Sequence, residues 1–371
     1  MTPPAIATKC LAILFLLLLS AACTHVRAPD EITVKPDRLR DWGTRPPAAE
    51  DRARHELEGN GAFEWWYFDG HLDDGRTFVG VFHVPSFVGN RPAATFTLYS
   101  PDWERQDYVT TLGPYGVFAD TRDIHIETQA GFVRRIDDET YHVCWEIDDL
   151  RAEFTLTQQA PGWRPSEDSG DVNTDARDFF WVVHQGRNHI KGTITLNNET
   201  THVTGTGYAD HNWGTRPLNE ITRRWLWGRI IADEYTIIYA DVDHYDPDTV
   251  SRPLYVARGN EMIMGTGSPT IRQRDFETHP AIKRFYPREV DLSYASDDVS
   301  IDIRITKTRL VEDVDFLSIA GYSPISQWLI RNLIARPGYF RLMAEYEGTI
   351  THHGDTDTIS GNTLYEVMTF E

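Results

Sequence analysis

Short strand-forming segments, repeated from about Gly59 to Phe370, constrain this chain more than any other feature. The first half contains FEWWYFDGHL, RTFVGVFHV, ATFTLYS, TYHVCWEI, RAEFTLTQQ, FFWVVHQ and IKGTITLN. The second half continues with THVTGTGYAD, RRWLWGRII, EYTIIYADVDHY, PLYVARG, EVDLSYAS, VSIDIRITKT, YFRLMAEYEGTI and NTLYEVMTF. Each is rich in β-branched or aromatic residues and bounded by Gly, Pro, Asp or Asn. Asp73-Asp74-Gly75 is a hairpin signal. Strands this short and this frequent fold as antiparallel barrels or sandwiches. A length of 371 residues and a hydrophobic content of 40% allow two such domains. Setting Gly70 on Gly228 aligns the stretch Trp65 to His83 with Trp225 to Asp241: an aromatic pair, a Gly, an acidic turn, then an apolar strand. The expected fold is all-β, with two related antiparallel β-barrels packed together over residues 59–218 and 219–371, each opened by a Trp-containing hairpin. A short helix is expected in the C-terminal half. Ser323 would cap it, Pro324 would sit in its first turn, and Ile325, Trp328, Leu329 and Leu333 follow helical spacing before Pro337-Gly338 stops it.

The N-terminal residues read differently. Lys9 is the only charge before Cys23, Leu11 to Ser20 is apolar, and LSAAC places small residues before Cys23. This pattern resembles a bacterial-type lipoprotein processing site, with Ser20 where Leu is usual. It predicts a signal peptide over 1–22, cleavage before Cys23 and lipidation there. The product would be an exported lipoprotein anchored to the membrane on its periplasmic or extracellular face. Residues 23–58, polar and rich in Pro, Arg, Asp and Glu, read as a flexible tether. Cys10 leaves with the signal, so Cys144 has no partner for a disulfide and is expected as a packed strand residue. A net charge of -20 sets nucleic acid aside as a partner.

Four constellations could carry chemistry. Tyr239 and Asp241 lie two apart on a strand and share a face with Ile237. Burial there would raise the Asp241 carboxyl and suit it to general acid work, whereas an exposed strand end would not. In GTGYADHNWG, His211 and Trp213 share one face, while Asp210 and Asn212 are expected to hold the turn from behind. His211 could handle a proton and Trp213 could face a cation, or both could simply pack. In FEWWYFDGHL, Glu64, Trp66 and Phe68 share one face and Trp65, Tyr67 and Asp69 the other. Both faces are aromatic, so this strand should be covered on both sides, as part of a ligand cavity or of plain core. Glu64, Trp66, Tyr67 and Trp227 are the candidates to line a substrate pocket. The fourth option is a metal. His71 and His83 could approach each other on neighbouring strands, but HExxH and paired Cys ligands are absent, so no catalytic metal is expected. A phosphate-binding Gly-rich loop and a GxSxG elbow are absent too.

EWWYFDGHLDDG, GTGYADHNWGTRPL, RRWLWGRI, ARPGYFR and the closing NTLYEVMTF resemble the carotenoid 1,2-hydratase (hydroxyneurosporene synthase) and AttH-like family. The resemblance runs from about Gly59 through nearly all of the rest. It implies two lipocalin-like β-barrels with a ligand space in or between them. It also implies cofactor-free, acid-catalysed hydration of a terminal isoprenoid double bond. The family's proposed acid-base set falls on His211, Trp213, Tyr239 and Asp241. Asp241 would be the general acid, His211 would orient or deprotonate water, and Trp213 and Tyr239 would stabilise the cation. The implied partner is a hydrophobic, isoprenoid or lipid-like small molecule. Ala209 stands where relatives often have His. A lipid-carrying protein without catalysis, or a cyclase or isomerase, would fit the same scaffold.

Overall fold

A computed structural model of the chain describes residues 28–34, 43–84, 91–113, 116–165, 179–245, 250–315 and 337–370. The expected signal peptide, the lipidation site at Cys23 and the helix expected from Ser323 lie outside these residues.

The strands in chain order are β1 (Glu31–Val34), β2 (Phe63–Leu72), β3 (Thr77–His83), β4 (Ala93–Tyr99), β5 (Arg105–Thr111), β6 (Val117–Ala119), β7 (His125–Thr128), β8 (Gly131–Arg135), β9 (Thr140–Ile147), β10 (Leu150–Ala160), β11 (Phe179–Leu196), β12 (Glu199–Gly214), β13 (Thr222–Ala232), β14 (Tyr235–His244), β15 (Val250–Ser251), β16 (Leu254–Arg258), β17 (Glu261–Thr266), β18 (Thr270–Thr278), β19 (Phe285–Ala295), β20 (Val299–Asp315), β21 (Gly338–His352) and β22 (Asp355–Thr369). They form two antiparallel sheets. The first has the order β5-β4-β3-β2-β12-β11-β10-β9-β8-β7-β6. The second runs β1-β18-β19-β20-β21-β22-β13-β14-β16-β17, with β15 beside β14. Each sheet curls into a half-barrel, so the all-β, two-barrel expectation is met. The chain passes from one to the other through the short helix Leu218–Ile221.

Alternation explains how the two barrels are joined. Trp66 and Phe68 on β2 enter the first barrel's core with Phe78, Phe96, Trp145 and Phe154. Ile237 and Tyr239 on β14 enter the second core with Leu292, Phe340 and Val367. The opposite faces of the central strands meet between the sheets. There Tyr67, Trp181, Tyr208 and Trp227 pack in one cluster, and Trp65, Phe179, Trp225 and Met368 in another. The doubly aromatic β2 is therefore covered on both sides. At Gly228 a Cβ would lie 2.4 Å from the Tyr239 hydroxyl, so only glycine lets that phenol cross the strand.

The described residues of the expected tether do not behave as one. β1 pairs with β18 at the edge of the second sheet. Residues 43–58 supply backbone partners for buried side chains of the first barrel's core and of the cluster between the sheets. The Trp163 indole donates to the Gly43 carbonyl at 3.0 Å, and the Trp66 indole donates to the Arg52 carbonyl at 3.0 Å. Arg164 pairs with Asp51 at 2.9 Å. Polarity misled the reading: Glu50, Arg54, Glu56 and Glu58 do face water, but backbone carbonyls and Asp51 serve buried donors. Cys144 is buried as expected, and burial pushes its thiol up to about 12.

Candidate functional site

The strand pairs β2/β12 and β13/β14 set three separate environments. The β2/β12 register places His211 opposite Trp66 and Trp213 opposite Glu64, and Asp210 opposite Tyr67 and Asn212 opposite Trp65. The first set faces the first barrel. His211 is fully buried and stacks on Trp66 at 4.3 Å between ring centroids. Its Nδ1 donates to the Asp51 carbonyl at 3.0 Å, and its Nε2 lies 2.9 Å from Glu64 Oε1. Burial holds the imidazole down to about 3 and raises the Glu64 carboxyl. Burial disfavours charge on both groups, and the imidazole is neutral, with Nδ1 as its donor and Nε2 turned toward Glu64. The His55 backbone N–H also donates to Glu64 Oε1, and the His55 ring stacks on Trp213 at 3.8 Å. Donor atoms of His55, Glu64 and His211 lie within 4.8 Å of one another, a spacing one cation could bridge. His71 and His83, by contrast, sit at opposite ends of the β2/β3 hairpin, paired with Thr77 and Trp65, roughly 20 Å apart at strand rise.

Tyr239 and Asp241 face the interior of the second barrel. Asp241 is buried, and each of its oxygens is engaged: Oδ1 by Arg252 Nε at 2.9 Å and Oδ2 by Gln273 Nε2 at 2.8 Å. Among the described residues the buried Tyr239 hydroxyl has no hydrogen-bond partner, and burial pushes the phenol far up. The expectation that His211, Trp213, Tyr239 and Asp241 line one pocket is thus not met. Within each strand the shared-face argument holds. Both pairs, however, point away from the junction, each into its own barrel.

The third environment is a cavity of about 90 Å³ between the sheets. Its walls include Trp65, Tyr67, Phe179 and Trp181 from the first sheet and Trp225, Trp227, Val242 and Glu366 from the second. Of the expected pocket residues, Tyr67 and Trp227 are here. Glu64 and Trp66 are on the other face of β2. Asp210 and Asn212, expected to brace a turn, also line this cavity. The Asp210 carboxyl is 6% exposed. Its Oδ2 accepts from the Trp181 indole at 3.0 Å and the Tyr208 hydroxyl at 2.9 Å, and its Oδ1 accepts from Asn212 Nδ2 at 2.8 Å. Burial pushes it up to about 7, against the pull of the Trp181 and Tyr208 donors and with help from the negative Asp69 and Glu366. The result is a carboxyl that is half protonated near neutrality, in an aromatic cavity, with its conjugate base already provided with donors. Sequence reasoning missed Asp210, Asn212, Trp181 and Glu366. The alternation in GTGYADHNWG separates Asp210 from His211, but it does not say which face meets the other barrel.

Residues 154–276 match the carotenoid hydratase CrtC family model. That stretch contains Asp210 and every residue around the cavity except Trp65, Tyr67 and Glu366. A hydroxyneurosporene dehydrogenase of Chlorobaculum tepidum is 24% identical over 230 residues, 51% of this chain and 58% of that protein. The match thus spans little more than half the length of this curated relative. Two solved structures share the fold over nearly their whole length. A putative AttH from Nitrosomonas europaea superposes with TM-score 0.59 at 15% identity, covering 92% of this chain and 98% of that one. Kievitone hydratase from Nectria haematococca gives 0.54 at 12% identity, covering 89% and 98%.

Proposed function

We propose that this chain, a member of the carotenoid hydratase and AttH-like family, adds water across a carbon–carbon double bond of an apolar, isoprenoid-like substrate, with Asp210 as the general acid. The observation that carries this reading is the Asp210 carboxyl, buried in an aromatic cavity between the barrels and pushed up to about 7. Protonated Asp210 gives its proton to the less substituted alkene carbon. Positive charge then develops on the tertiary carbon, facing the rings of Trp65, Trp181, Trp225 and Trp227. A ring face stabilises a cation by about 0.5–2 kcal/mol, so most of the barrier reduction comes from proton transfer and positioning. As Asp210 becomes a carboxylate, Trp181, Tyr208 and Asn212 already donate to it, with no reorganisation needed.

The cavity also bears on the rival reading of a lipid carrier. Pockets that enclose drug-sized ligands measure about 300–1,000 Å³, and 90 Å³ takes only one end of a long hydrocarbon. Seating a chain end at a proton donor suits chemistry at a terminal double bond better than carriage. Export and lipid anchoring at Cys23, proposed from residues 1–23, would place this cavity beside a bilayer that supplies such substrates. The test is Asp210→Asn, assayed by deuterium and heavy-oxygen uptake from labelled water into a trisubstituted alkene without a carbonyl, such as 2-methylhept-2-ene. Loss of both labels, by about 100-fold or more, is expected. Wild-type rates in a folded Asp210→Asn protein would remove Asp210 from the acid role.

A further inference from the structure

Glu366 stands on the opposite wall of the cavity from Asp210, and we infer that it is the general base that takes the proton of the attacking water. The inference rests on the reading of Asp210 as the acid. Asp210 is carried by β12 of the first sheet and Glu366 by β22 of the second, so the pair exists only where the two barrels meet.

The two oxygens of Glu366 have different surroundings. Oε1 accepts from Arg341 Nε at 3.0 Å and Nη2 at 2.8 Å, with the Tyr67 hydroxyl at 3.4 Å. Among the described residues Oε2 takes no hydrogen bond, and it is not among the polar atoms sealed from solvent. Since Glu366 lines the cavity, Oε2 is the oxygen left to meet a molecule there. Arg341 cannot drift from this duty. It is 4% exposed and also donates to the Tyr99 hydroxyl at 2.9 Å and the Tyr339 hydroxyl at 2.7 Å, with Glu312 at 3.3 Å.

The cavity thus holds two carboxyl groups in opposite settings. Asp210 sits among neutral donors, and Glu366 sits on a guanidinium. Such a split assigns acid and base roles within one site. The step balances. Asp210 gives a proton to one alkene carbon, and the water oxygen bonds to the tertiary carbon. The proton released from that oxygen passes to Glu366 Oε2. Bulk water then returns a proton to Asp210 and removes one from Glu366, leaving a tertiary alcohol.

The test separates protonation from water capture, again with 2-methylhept-2-ene in deuterated, heavy-oxygen water. In Glu366→Gln, heavy-oxygen alcohol should fall by about 100-fold, while deuterium still enters the recovered alkene through Asp210. Glu366→Asp keeps the charge for Arg341 but withdraws the free oxygen by about 1.5 Å, and should show the same split with thermal stability retained. Hydration within about fivefold of wild type in either folded variant overturns the inference. Loss of deuterium uptake together with hydration also overturns it, because the effect would not be confined to water capture. An Asp210→Asn protein that still takes up deuterium would instead refute the acid assignment, whatever Glu366 does.

Discussion

A carboxyl held near 7 in the folded state leaves a thermodynamic mark that can be measured without a substrate. Asp210 is shifted from its ordinary value of 3.8 to about 7, chiefly by burial. Between these two values the folded protein holds a proton that the unfolded chain has lost. The folded state binds more protons, so stability falls as pH rises across this window. Each pH unit is worth about 1.4 kcal/mol, so a shift of about three units is worth roughly 4 kcal/mol between pH 4 and pH 8. Other groups titrate over the same range, but Asp210→Asn isolates this one because the amide cannot ionise. The assay is urea unfolding of both proteins at intervals from pH 4 to pH 8. The stability of wild type relative to Asp210→Asn should decline by roughly 4 kcal/mol, mostly below pH 7, and then level off. A difference that stays constant with pH would mean that Asp210 titrates like an exposed aspartate. The general acid reading would then fall with it.

Three further outcomes are expected. Asp241→Asn should cost stability, on the order of 3–5 kcal/mol if the Arg252 charge is left unpaired, yet leave the hydration products unchanged, because Asp241 faces the second barrel's interior; product analysis with urea unfolding checks both. Deleting residues 24–58 should destabilise the protein by several kcal/mol, since the buried Trp66 indole, His211 Nδ1 and Arg164 would each lose a partner at about 1–3 kcal/mol; a deletion protein as stable as wild type in calorimetry would contradict this. Cys23→Ser should abolish diacylglycerol attachment and release the protein from membranes, as read by intact mass and by fractionation.

Much of the fold was legible because strand signals are local. Period-2 alternation in FEWWYFDGHL and in GTGYADHNWG divided each strand into the same two faces that the structure shows. The aromatic load on both faces of β2 announced a strand covered twice. The tether was misread because some of its groups pair with buried partners elsewhere in the chain. His55 reaches Glu64 and Asp51 reaches Arg164, and such pairings have no local signal. The site was misread for a related reason. The resemblance put His211 and Asp241 in one acid-base set, but a side chain acts where its face of the sheet points, and these two point into different barrels.

The sequence by itself determined that this chain is all-β, that its two halves follow one plan, and which residues share a face on each strand. Those properties depend on neighbours within a few residues. Tertiary structure alone decided that the faces carrying Asp210 and Glu366 are turned toward each other across an aromatic cavity, while His211 and Asp241 are sealed in separate barrels. Facing is a property of how two sheets curl and pack. It also determines proton affinity, because a carboxyl's charge is disfavoured by the water that packing excludes and favoured by the donors that packing brings near.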